Sequence, residues 1–307
     1  MPNKLIDKSP IVILSGATAT GKSRVACQIA KNFNGAIINA DAMQVYQDLP
    51  ILSAQPSIKD FDNFPHFLYG ILESTEKMSV ANWLNLVKET LEKLTQINKL
   101  PIIVGGTGMY ISRLIDGIAE IPLISSQFNQ MAKDLYQQIG HQEFVKKFGN
   151  DKIIDKQKLL RRAEIKLQTG KNIEYFLSNN HQKVLENYQI LHVNLCPSRE
   201  EIYQNCNIRF DVMLENGGID EVKNFLQKNP NYQNLSISKT LGLQEIIDFL
   251  ANKITIDEMK NTAKQKTRNF AKRQLTWFRN QFKEIHFCQN DQQILQRVNN
   301  FLKHEIL

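Results

Sequence analysis

Four short apolar runs punctuate the chain, at Ile11–Leu14, Ala36–Asn39, Pro101–Val104 and Gln189–Leu195. The first three are rich in β-branched residues and do not alternate with polar ones, the pattern of strands buried on both faces. Between them apolar positions recur at helical spacing, around Arg24–Phe33 and Val80–Thr95. Strand and helix in alternation predict βαβ units and a parallel sheet covered by helices. The pattern changes between Pro122 and Glu186, where helical stretches such as Asn129–Ile139 and Lys156–Gln168 stand without a convincing strand. The run at Gln189–Leu195 resumes the sheet, and the part after Pro197 is again helical. The predicted organisation is an α/β core, residues 1–121 and 187–307, with a helical insertion over 122–186. Trp83 and Phe67 read as core residues.

Composition narrows the class. A chain of 307 residues with 42% hydrophobic content is long enough to bury a sizeable core. No run approaches the roughly 20 apolar residues of a membrane span, and no apolar leader precedes the first strand. A soluble, cytoplasmic protein is expected, with no membrane partner and the monomer as default state. Cys27, Cys196, Cys206 and Cys288 are scattered without a Cys-x-x-Cys pair, so reduced, mostly buried thiols are expected in place of a disulfide framework or zinc site. The net charge of +7 permits a nucleic-acid partner without establishing one.

The first strand runs into Gly16-Ala17-Thr18-Ala19-Thr20-Gly21-Lys22-Ser23, and a helical pattern follows at once. Strand, glycine loop and helix in that order are the context of a phosphate-binding loop. Its glycines let the backbone wrap a phosphate chain with amide N–H groups turned inward, and the helix start adds partial positive charge. Lys22 would reach the terminal phosphate, and the Ser23 hydroxyl would ligate Mg²⁺. A glycine turn before an ordinary helix is the alternative. The fold class expected is thus a P-loop NTPase-like parallel sheet with flanking helices, of the kind that binds ATP and other phosphate chains. The loop does not say whose phosphates it holds.

Asp41 stands at the end of the second strand, in the ligand crevice of such a sheet. It could hold Mg²⁺ through water or accept a proton; a turn-forming or helix-capping Asp is the other reading. The third strand ends in Gly105-Gly106-Thr107-Gly108, where an ATPase would be expected to carry its Mg²⁺-positioning Asp, which argues against a motor or switch NTPase. Between Lys260 and Lys283 there are eight Lys or Arg residues and no Asp or Glu. As a helix this segment has an apolar stripe at Ala271, Leu275, Phe278 and Phe282. Surface helices usually mix signs for i,i+4 pairing. The missing acid therefore favours polyanion contact over a merely solvated face.

Taken together, Gly16–Ser23, Asp41–Tyr46, Ser53–Ser57, Gly105–Tyr110, Gln157–Gly170, Arg209–Leu214 and Thr267–Arg279 resemble the tRNA dimethylallyltransferase family, in the family's order and over nearly the whole chain. The resemblance implies transfer of the dimethylallyl group of dimethylallyl diphosphate to N6 of adenosine 37, beside the anticodon of tRNAs reading codons that begin with U. It implies that the loop Gly16–Ser23 grips the donor diphosphate, with Mg²⁺ at Ser23. Lys22 and Arg209 would stabilise the leaving group, Thr18 would touch the substrate, and Asp41 would take the N6 proton. It further implies tRNA contacts from Asp41, Ala42, Met43, Gln44, Thr107, Gln157, Lys158 and Arg161. The basic helix carrying Lys272 and Arg273 would hold the RNA backbone.

Lys158, Asn129, Asn205 and Asn269 depart from the family's usual pattern. The first three stand where Arg is frequent, which puts individual tRNA contacts in doubt and leaves the loop, Asp41, Thr107 and Arg209 untouched. A small-molecule kinase would share the loop but has no need of the basic helix. A prenyltransferase acting on free adenine nucleotides typically lacks both the insertion and the C-terminal motif.

Overall fold

The computed structural model describes residues 8–57, 63–150, 152–178 and 181–303. At its centre β1 (Ser9–Gly16) belongs to a six-stranded sheet of order β3-β2-β4-β1-β7-β8. The others are β2 (Gly35–Asn39), β3 (His66–Phe67), β4 (Leu100–Gly105), β7 (Tyr188–Leu195) and β8 (His286–Cys288). Every pairing is parallel. The four expected strands are β1, β2, β4 and β7. The two edge strands β3 and β8 escape the sequence pattern because two or three residues carry no periodicity; their pairing comes from the neighbour, not from their own composition.

Helices α1 (Lys22–Asn32) and α3 (Val80–Gln96) follow β1 and precede β4, as the apolar spacing predicts. One face of the sheet, with Val12, Leu14, Ile102, Val104 and Val193, packs on α1 and on Ile294 and Val298 of the last helix, α12 (Asp291–Lys303). Trp83 of α3 is wholly buried, stacks on Tyr110 of α4 (Gly108–Asp116) and donates its indole N–H to the Asn39 carbonyl at 2.9 Å. A second cluster joins Val45–Leu52 to the C-terminal helices α8 (Arg199–Glu215), α9 (Gly218–Lys228), α10 (Leu243–Leu250) and α11 (Ile256–Gln281). The short α2 (Pro50–Ser53) starts on the Glu221 carboxylate, which accepts from the Ile51 and Leu52 amides at 2.7 and 2.9 Å. That cap fixes Ser53 and Ala54 against the site described below. Among the described residues, no helix is long and apolar enough to cross a membrane.

A separate compact unit spans Asp116–Lys183. It begins before residue 122 because β5 (Ile118–Ala119) pairs antiparallel with β6 (His181–Gln182), a contact too short to leave a pattern. Its core holds Ala132, Phe144 and Phe148 of α5 (Ser126–Phe148) against Leu159 and Ala163 of α6 (Lys156–Thr169). The helix expected over 129–139 is the first limb of α5, which breaks at Gly140 and continues. The short α7 (Ile173–Ser178) follows.

The other face of β1 and β7 carries a buried polar group. Ser15 Oγ lies 2.9 Å from His192 Nε2 and accepts from Asn194 Nδ2 at 2.8 Å, directly below the phosphate loop. Burial, with the nearby His286, pushes the His192 imidazole down to about 3, so the folded protein keeps it neutral. Below the ordinary value of 6.5 the unfolded chain takes up a proton that the folded chain refuses. Stability is therefore lost as pH falls from 6.5 toward 3. His192→Gln should flatten the wild-type fall in unfolding free energy over this range by a slope approaching about 1.4 kcal/mol per pH unit. Urea titrations between about pH 7 and about pH 4.5 measure it, and an unchanged slope would exonerate His192.

Candidate active site

The C-terminal ends of β1, β2 and β4 lie level, with Ser15 opposite Gly105 and Asn39 opposite Val104. The loops that follow them therefore emerge side by side. After β1, the segment Gly16–Lys22 curls into α1. Gly21 takes the left-handed conformation (φ 88°), and Thr20 Oγ1 donates to the Ala17 carbonyl at 2.9 Å. Lys22 Nζ donates to the same carbonyl at 2.6 Å, which folds its chain back over the loop. Ala17 is wholly buried and belongs to the core beneath.

After β2, Asn39 shapes the next turn. Its side chain accepts from the Asp41 amide at 2.8 Å and donates to the Asp41 carbonyl at 3.0 Å. Asp41 Oδ1 in turn accepts from the Met43 amide at 3.0 Å, which holds the carboxylate in one orientation. After β4, Gly105 lies so close to this turn that a Cβ on it would fall 2.1 Å from the Ala40 carbonyl oxygen. Thr107 completes the join: its amide donates to Ala40 O at 3.2 Å and its Oγ1 accepts from the Ala42 amide at 2.9 Å.

These loops and α8 enclose a cavity of about 500 Å³. Thr18, Ala19, Thr20, Gly21, Lys22 and Ser23 line one side, Asp41 and Gln44 another, and Asn205 and Arg209 of α8 the third. Strand order alone puts Asp41 beside the phosphate loop, the resemblance adds Arg209, and the fold brings all of them into one space. Burial draws the Lys22 ammonium down to about 8, with Asp41 opposing the shift and Arg209 adding to it. Burial also lowers Arg209, again opposed by Asp41. Arg209 makes no hydrogen bond or ion pair among the described residues. Lys22, Arg24 and Arg209 line this cavity with the carboxylates of Asp41 and Glu201, and Arg24 is paired with Asp291 outside the lining, so Lys22 and Arg209 are the cations left to meet an anion.

Gln44 is held in that wall by its own hydrogen bonds, and the remaining predicted residues fall elsewhere. Met43 packs its side chain on the core that joins the second strand's loop to the C-terminal helices. Gln44 donates to the Ser53 and Ala54 carbonyls at 2.9 and 2.8 Å. Gln157, Lys158 and Arg161 are exposed at the start of α6, in the separate unit. Asn129 leaves its Oδ1 buried without a hydrogen bond, and Asn269 accepts from Gln265. Lys272 and Arg273 are exposed on α11, Arg273 over the Phe270 ring at 5.6 Å.

Part of the basic run on α11 is paired within the fold. Lys264 pairs with Asp211 of α8 at 2.6 Å, Lys266 with the buried Glu245 of α10, and Arg268 donates to Asn207. Acids on neighbouring helices thus meet Lys264 and Lys266, while Lys260, Lys272, Arg273 and Arg279 of this helix make no ion pair among the described residues. Two site residues escaped the sequence reading. Asn39, which orients Asp41, gives no signal beyond its place at a strand end. Gln274, buried beside the loop, does give one: it is a polar residue on the apolar stripe of α11.

Comparison with known proteins bears on this cavity. A family model described as IPP transferase matches residues 44–281, and one described as isopentenyl transferase matches 9–69. The chain belongs to the IPP transferase family. Within it, the chain is 38% identical over 288 residues to the tRNA dimethylallyltransferase of Rickettsia bellii (strain OSU 85-389), covering 91% of this chain and 90% of that one. It is 36% identical to that of Ehrlichia canis (strain Jake), covering 95% and 98%. Among solved members, the tRNA isopentenylpyrophosphate transferase of Bacillus halodurans superposes with a TM-score of 0.70 at 27% identity, over 97% of each chain. A eukaryotic dimethylallyltransferase acting on tRNA shares the fold, with a TM-score of 0.82 at 22% identity over 96% of this chain and 80% of that one.

The depressed Lys22 value generates a prediction. Its charge is lost as pH rises through about 8, so inorganic pyrophosphate should bind progressively more weakly above that pH. The loss should approach about tenfold per unit relative to a Lys22→Arg variant, whose guanidinium stays charged. Calorimetry from about pH 7 to about pH 9.5 tests this, and parallel profiles for the two proteins would refute it.

Proposed function

We propose that this protein transfers the dimethylallyl group of dimethylallyl diphosphate to N6 of adenosine 37 in tRNAs reading codons that begin with U, releasing diphosphate. The observation that carries the reading is the shared cavity, where Lys22 and Arg209 face Asp41 across the phosphate loop in a chain of this family. The reading places the protein where tRNA is, in the cytoplasm.

The donor diphosphate lies along the loop amides, with Lys22 and Arg209 on its oxygens. As the C1–O bond breaks, negative charge grows on the leaving diphosphate, and these fixed cations stabilise it more than they stabilise the intact donor. The allylic C1 tolerates the positive charge left behind, and the N6 lone pair forms the new C–N bond. Asp41, held by the Met43 amide through one oxygen, accepts the N6 proton on the other. The donors near the loop suit Mg²⁺: the Ser23 hydroxyl and Asp41 line the same cavity, and no cluster of three or more acidic, His or Cys groups occurs among the described residues. Such a sparse set fits a cation that keeps several waters and takes substrate phosphates. When bound, Mg²⁺ would neutralise charge on the diphosphate.

Adenosine 37 leaves the anticodon-loop stack to reach the cavity, as bases do in other base-modifying enzymes. Asp41 and Gln44, which line the cavity, together with Ala42, Met43 and Thr107 of the same joined turns, meet the base and its neighbours. Gln157, Lys158 and Arg161 of α6, and Lys272 and Arg273 of α11, take the RNA. Binding of an anticodon stem-loop should weaken steeply with salt, and the double change Lys272→Ala/Arg273→Ala should lower the slope of log Kd against log salt by about 1–2. A slope that the double change leaves untouched would remove these two residues from the interface.

The reaction itself is tested with radioactive dimethylallyl diphosphate and Mg²⁺, offered to an anticodon stem-loop carrying A36-A37 and, separately, to AMP. Label on the stem-loop alone supports the proposal. Label on AMP would move the acceptor to free nucleotides, and ATP consumption without label would make the protein a kinase. Asp41→Asn should cut single-turnover transfer about 10²–10⁴-fold with little change in stem-loop affinity. An unchanged rate would sink the role of Asp41.

A further inference from the structure

Gln274 of α11 is 8% exposed and spends both ends of its amide. Its Oε1 accepts from the Thr18 N–H at 2.8 Å, inside the phosphate loop. Its Nε2 donates to the Gly106 carbonyl at 2.8 Å, in the turn after β4. The fit is close: a Cβ on Gly106 would lie 2.5 Å from Nε2. The next residue, Thr107, carries the two hydrogen bonds to Ala40 and Ala42 that hold the Asp41 turn. One side chain therefore stands between the loop that faces the donor and the turn that carries the carboxylate. The two positions immediately before it on the same helix are the exposed Lys272 and Arg273.

We propose that Gln274 is a positioning residue that sets the separation between the phosphate loop and the Asp41 turn. The proposal rests on the transfer reaction inferred above. The length of the side chain and the two senses of its hydrogen bonds are what the spacing requires. An amide both accepts from Thr18 and donates to Gly106, which a carboxylate cannot do and a protonated carboxyl can. The Thr18 N–H is also spoken for by Gln274, so Thr18 meets a ligand through its side chain and the phosphate grip falls to the other loop amides. Gln274 lines the same cavity, but both ends of its amide are taken by backbone partners, so its effect should appear in the rate of transfer more than in binding of either substrate.

Two variants read this out beside the wild type. Gln274→Met keeps length and loses both hydrogen bonds; its kcat should fall about 10²-fold, the cost of a misplacement of about 1 Å, with KM for the donor and Kd for the stem-loop within about threefold. Gln274→Glu should lose activity near about pH 8 and regain it, relative to the wild type at each pH, as the carboxyl gains the proton it donates to Gly106. A merely structural role would lower the melting temperature and give a Glu variant whose ratio to the wild type does not change with pH. That result, or a Met variant within about threefold of wild-type kcat, overturns the proposal. Amide exchange at Thr18 needs no turnover: it should be slow in the wild type and at least about tenfold faster in Gln274→Met. Fast exchange in the wild type also overturns the proposal. A wild type that transfers no label would refute the reaction, while exchange still decides whether Gln274 holds the loop.

Discussion

The parallel register at the centre of the sheet is the constraint on which the site depends. Ser15 pairs opposite Gly105, and Asn39 opposite Val104, so β1, β2 and β4 end at nearly the same level. Parallel strands deliver their following loops to one edge, and a common end point makes those loops neighbours. A slip of one residue in any of these strands would turn its side chains to the opposite face and carry its loop out of reach. Apolar burial on both faces is what forbids the slip: Val12, Leu14 and Ile102 pack on α1, while their alternates Ile11, Ile13 and Ile103 are equally buried on the other side.

Polar contacts then tune what the register sets roughly. Asn39 and Thr107 hold the Asp41 turn from two sides, Thr20 and Lys22 tie down the Ala17 carbonyl, and Gln274 bridges the first and third loops. Each is a side chain bonded to backbone, so the loops are fixed without the regular ladder that would flatten them. The cations are treated oppositely. Lys264 and Lys266 are matched by acids on adjacent helices, whereas Arg209 faces the cavity with no such partner among the described residues. Charge is paired between these helices and left without an ion pair at Arg209, beside the phosphate loop.

Much of this was legible in the chain. Uninterrupted β-branched runs identify central strands because burial on both faces leaves no room for polar alternation. The phosphate loop announces itself because close phosphate wrapping demands glycine, lysine and a hydroxyl residue at fixed spacing. The edge strands β3 and β8 and the β5–β6 pair were invisible because a strand of two or three residues is defined by its partner. The acid-free run of α11 was visible, but not the pairing of Lys264 and Lys266, since sequence records the charges on a helix and not those opposite it.

By itself, the sequence determined the α/β class, the central strands and the phosphate loop, along with the family through motifs spread across the chain. These are local properties: side-chain volume, backbone freedom and periodicity act within a few residues. Only the tertiary structure decided which polar groups meet. Thr18 and Gln274 are far apart in sequence and 2.8 Å apart in space, and Asp41 shares its cavity with Arg209 only because two helices and a strand end converge there. The length of an amide, the burial of a lysine and the pairing of a charge depend on what lies across a gap, and no local pattern along the chain encodes that.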